Sequence, residues 1–108
     1  MIIINKLINL LNSSQELETQ RRVSNILARI GAGNSEVISA LTDMLRNSHD
    51  EKIIQQVAEN LGIADPGNSE ATDVLIKLLI NTQDESNRRK IMRSLKKLVS
   101  VMIKLLQL

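Results

Sequence analysis

An all-α stack of helical hairpins is the architecture that this 108-residue sequence predicts. Three observations point to it. The word Asn-Ser-Glu follows a glycine twice, at residues 33–36 and 67–70. Sliding the chain by 34 residues aligns 33–66 with 67–100 at ten identical positions, among them Leu41/Leu75, Leu45/Leu79, Asp50/Asp84 and Leu61/Leu95. The chain also has no Phe, Tyr or Trp, so aliphatic side chains must build its interior, which suits helix packed on helix. A period of this length signals a repeat array, in which each unit buries its apolar face against the next.

The first unit, residues 1–32, joins the register through apolar positions: Leu7/Leu41/Leu75, Leu11/Leu45/Leu79, Val23/Val57/Ile91 and Leu27/Leu61/Leu95. In the second unit, 33–66, Val37, Ile38, Leu41, Met44 and Leu45 fall at the spacing of one helical stripe. The polar run "RNSHD" at 46–50 interrupts it. Ile53, Ile54, Val57, Ala58 and Leu61 then form a second stripe, with Gly62 at a position where helices commonly stop. Pro66 and Gly67 suit a turn into the third unit, 67–100. The recurring polar word reads as capping. Asn34 or Ser35, and Asn68 or Ser69, can accept from free N–H groups, while Glu36 and Glu70 meet the positive end of the helix dipole. Asp50 and Asp84 would cap the second helices, with Glu16 in the equivalent place of the first unit.

The chain's end departs from the pattern. "VLIKLL" at 74–79 and "VMIKLL" at 101–106 differ at one position, but their offset is 27 residues. Residues 99–108 therefore read as the remnant of a fourth first-helix joined without its turn. The segment from Asp84 to about Leu106 runs as one extended helix or bends near Ser100. Its apolar end either folds back onto the third unit or leaves Val99, Met102, Ile103, Leu105 and Leu106 as a patch for a partner or a second copy.

Charge is uneven. Residues 1–85 hold seven Lys/Arg against twelve Asp/Glu, a net of five negative charges; residues 86–108 hold seven Lys/Arg and no acid. Catalysis finds no support. There is no cysteine, the single histidine, His49, lies in a polar turn, and neither a phosphate loop nor a metal-ligand cluster is present. No catalytic, metal or cofactor residue is expected. The apolar N-terminus encloses Lys6 and lacks a cleavage site, and no run is long enough to span a bilayer, so a soluble cytoplasmic protein is expected.

The stretches "GNSEATDVLIKLL" and "DESNRRKIMRSL" resemble the HEAT repeat, in particular the short HEAT-like form of phycobilisome lyase proteins. Asp84 and Glu85 match that family's acidic helix start, Arg88 its arginine, Leu95 its late leucine, and Leu61-Gly62 its Leu-Gly pair. The tetratricopeptide class shares the period but needs aromatics that are absent here. Two columns depart from the HEAT pattern, reading Gln20/Ile54/Arg88 and Val23-Ser24/Val57-Ala58/Ile91-Met92. The resemblance covers about residues 1–98 and implies a short right-handed α-α superhelix of three helix pairs, used for non-catalytic protein binding.

In such a stack the second helices line the concave side. Arg21, Arg22, Asn25, Gln55, Gln56, Glu59, Arg89, Lys90, Arg93 and Lys97 then form one row facing a protein partner. An accessory role beside a tetrapyrrole lyase is the family's other implication. Sequence-blind nucleic-acid binding through 86–108 ranks lower, because no aromatic can stack on bases and the acidic remainder repels a polyanion. An anionic membrane ranks lower still.

Overall fold

The computed structural model describes residues 2–107 and holds six helices: α1 (Ile2–Ser13), α2 (Leu17–Ile30), α3 (Ser35–Asn47), α4 (Glu51–Ala64), α5 (Ser69–Asn81) and α6 (Glu85–Leu106). Among the described residues there is no strand. Consecutive helices pair as α1/α2, α3/α4 and α5/α6, and the pairs stack in chain order.

Asparagine and aspartate set four of the helix starts. Asn34 Oδ1 accepts from the N–H groups of Glu36 (2.9 Å) and Val37 (3.1 Å), and Asn68 Oδ1 from that of Ala71 (2.9 Å). Asp50 Oδ1 accepts from Ile53 (3.0 Å), and Asp84 Oδ1 from Ser86 (2.8 Å) and Asn87 (3.2 Å). Each bond satisfies a donor that the helix itself leaves free. Ser35 and Ser69 are the first helical residues, so their asparagine neighbours hold the cap. Before these starts Gly33 and Gly67 take φ of 82° and 87°, a backbone that other residues rarely adopt.

Two expectations need correction. Glu16 occupies the cap position of α2 but makes no side-chain cap bond. Its side chain is a methylene longer than aspartate's, and Ser14 Oγ accepts from the Glu16 N–H instead (3.2 Å). Gly62 does not end α4, which continues through Ala64. A Cβ at Gly62 would collide with the Leu98 side chain, so this glycine admits α6 to close approach.

The core follows the repeat columns. Leu27, Leu41, Leu61 and Leu75 are fully buried, while their column mates Leu7 and Leu95, at the two ends of the stack, are half-buried. Burial in the middle and exposure at the ends is what a stack held by its neighbours produces. The two layers are unequal. The second helices pack closely, α2 on α4 and α4 on α6, whereas α1 and α3 touch little and α3 and α5 make no close backbone approach. The stack therefore closes toward α2, α4 and α6.

Helix α6 runs unbroken to Leu106, without a bend at Ser100 or a return onto the third pair. Leu98 is buried against Gly62 near the end of α4; the eight residues beyond it extend the helix by about 12 Å. The echo of α5 at 101–106 lies within this continuing helix.

Candidate interaction surface

The ridge of second helices is built on buried polar contacts. Asn60 of α4 is 3% exposed; its Nδ2 donates to Ser24 Oγ (3.0 Å) and Asn25 Oδ1 (2.7 Å) on α2. Ser24, fully buried, donates in turn to the Arg21 carbonyl (2.9 Å). One unit on, Ser94 of α6 donates to Glu59 Oε1 (2.8 Å), and Lys97 Nζ lies 3.6 Å from Glu59 Oε2. Gln55 donates to Ser94 Oγ and Gln56 to Glu59 and Asn60. No buried side-chain polar atom is left without a partner among the described residues. A satisfied polar seam of this kind fixes register between helices, because any slip strands its members.

The row expected from the sequence divides accordingly. Asn25, Gln55, Gln56 and Glu59 are half-buried and tie helix to helix, whereas Arg22, Arg89, Lys90, Arg93 and Lys97 are exposed. Arg21 and Arg22 both grip Glu18, at 2.6 and 2.8 Å. Hydrogen bonds from Arg21 and then Arg22 hold the Glu18 carboxyl down at about 2, against its ordinary 4.5. Arg89, Lys90 and Arg93 have no ion pair among the described residues. Lys90, Arg93 and Lys97 line a shallow groove of about 630 Å³ between α4 and α6, with Gln55, Gln56 and Glu59 opposite.

Sequence reasoning missed Asn60, Ser24 and Ser94 as members of this surface. Polar residues inside an otherwise apolar stripe were the available signal. Gln20 and Arg88, which share a column, both anchor the loop before their helix: they donate to the carbonyls of Ser14 (3.0 Å) and Thr82 (3.2 Å).

At the chain's end Val99, Met102, Ile103, Leu105 and Leu106 are 53, 40, 49, 53 and 81% exposed. A separate apolar groove of about 310 Å³ is lined by Leu79, Met92, Leu95, Lys96 and Val99, where α5 and α6 meet. His49 is exposed in the α3–α4 turn. No group of three His, Cys, Asp or Glu able to hold a metal ion occurs among the described residues, and no helix there is long and apolar enough to cross a membrane.

A family model described as HEAT repeats matches residues 4–96. No curated protein and no solved structure matches the chain.

Proposed function

The chain belongs to the HEAT-repeat family, and from that premise we propose that it is a non-catalytic module that binds an acidic segment of a cytoplasmic protein along its second helices. The carrying observation is the contrast within the ridge. Its middle is locked by the Asn60 and Glu59 contacts, while Arg89, Lys90 and Arg93 on α6 stand exposed without an ion pair among the described residues. No acidic side chain follows Glu85 in the sequence, and Glu59, the carboxylate that lines the groove, is engaged by Ser94 and Lys97. A rigid base with unpaired cations offers charge complementarity at little ordering cost. The exposed end of α6, with Val99, Met102, Ile103, Leu105 and Leu106, is the second contact of this reading.

A photocrosslinker placed at Arg89, and separately at Lys77 on the first-helix side, tests the assignment. The reading expects one acidic protein captured at Arg89 and not at Lys77, and lost when Arg93 and Lys97 are changed to Glu. Capture at Lys77, or persistence in the charge-reversed variant, would refute it. Duplex DNA bound in place of protein would transfer the row to phosphate recognition.

A further inference from the structure

We propose, building on the acidic-partner reading above, that Glu59 is an internal stand-in for the partner's carboxylate: it occupies the donors of the α4–α6 groove, and an acidic segment binds by displacing it. Inside the groove the Glu59 carboxylate is engaged at both oxygens. Its Oε1 accepts from Ser94 Oγ at 2.8 Å, and its Oε2 accepts from Gln56 Nε2 at 3.3 Å and faces Lys97 Nζ at 3.6 Å. A hydroxyl, an amide and an ammonium thus converge on one carboxylate, all from residues that line the same groove. The Glu59 side chain is 16% exposed and that of Lys97 52%, so the ammonium side of this contact lies open to solvent. An aspartate or glutamate of a partner would use the same kinds of donor.

The repeat shows which part of the contact the packing needs. One unit earlier, the columns of Glu59 and Ser94 hold Asn25 and Asn60, and Asn60 Nδ2 donates to Asn25 Oδ1 at 2.7 Å. A neutral amide acceptor therefore suffices to join neighbouring second helices at this height. The Lys97 column holds Ile63 in that unit. Carboxylate and ammonium both enter at the α4–α6 junction, which also carries Lys90 and Arg93, two cations without an ion pair among the described residues.

Two carboxylates cannot share these donors at short range without repelling each other. While Glu59 stays in place it neutralises Lys97, and the groove meets an acidic segment with Lys90 and Arg93 alone. Once Glu59 swings out, Lys97 and Gln56 turn to the incoming group. The apparent affinity then scales with the fraction of molecules in which Glu59 has left the site.

Fluorescence anisotropy of a labelled octa-glutamate peptide, titrated with the full chain at low salt, tests this. Glu59→Gln keeps an acceptor for Ser94 and removes the charge, so it should tighten binding about fivefold. Glu85→Gln removes the same charge from the exposed start of α6, outside the groove, and should change affinity by less than about twofold. Lys97→Met should weaken binding by less than about twofold in wild type but about fivefold in the Glu59→Gln background, because only there is the ammonium available. Circular dichroism should show unchanged helicity in every variant. A Glu59→Gln chain that loses helicity would make the carboxylate a structural requirement and overturn the proposal. Equal tightening by Glu85→Gln, or the same cost of Lys97→Met in both backgrounds, would overturn the displacement and leave the acidic-partner reading standing. Octa-glutamate bound by neither wild type nor Glu59→Gln would overturn both.

Discussion

Replacing Asn60 by alanine should destabilise the chain by about 1–2 kcal/mol. Two short bonds to α2 disappear, each with a net worth of about 1 kcal/mol. Alanine returns about half a kcal/mol through its better helix propensity. Ser24 keeps its bond to the Arg21 carbonyl, so no buried donor is stranded and the cost stays below that of a full orphan. The chain has no aromatic residue, which makes far-UV circular dichroism the natural probe of a urea titration. With a slope of about 1.5 kcal/mol per M, the midpoint should fall by about 1 M. Asn25→Ala, at a half-buried position, should shift it by less than half as much. An unchanged or raised midpoint for Asn60→Ala would show that the polar seam does not hold α4 to α2, and would refute the reasoning.

The caps make a second pair of expectations. Asp84→Ala should cost about 1 kcal/mol in the same titration, whereas Glu16→Ala should leave stability nearly unchanged because Glu16 makes no cap bond. Gly62→Ala should lose about 1 kcal/mol, overpacking against Leu98 outweighing the gain in helix propensity; in a Leu98→Ala background it should become stabilising. For pH, the folded-state value of Glu18 lies below its unfolded one. Its pairing therefore contributes in full above about 4.5 and is lost as pH falls toward about 2. Glu70 is shifted in the same direction by the Arg46 hydrogen bond. Thermal midpoints of wild type and Glu18→Gln should converge across that acid window and differ modestly above it, because the pair is exposed.

Periodicity made most of the fold legible. Leucine columns and capping asparagines are local signals, and the helices begin and end close to where those residues place them. What the sequence hid depends on who faces whom. Gly62 looks like a helix stop until Leu98 is seen against it. Glu59 looks like a solvent-facing member of a binding row until Ser94 and Lys97 are found beside it. Asn60 and Ser94 sit on apolar stripes, and only the neighbouring helix shows why a polar side chain is stable there. The reach of α6 was open for the same reason, since an apolar pattern past Leu98 fits a covered helix and a free one alike.

Amide hydrogen exchange on the intact chain, read helix by helix, bears most directly on the claim that neighbouring pairs hold this stack together. Helix α4 packs against α2, α3, α5 and α6, whereas residues 102–106 at the end of α6 are all exposed. The structure therefore predicts slowest exchange in α4, intermediate rates in α1 and α5, and fastest exchange at the end of α6. Protection in α4 no greater than in α1, or an end of α6 as protected as its start in the monomer, would contradict it.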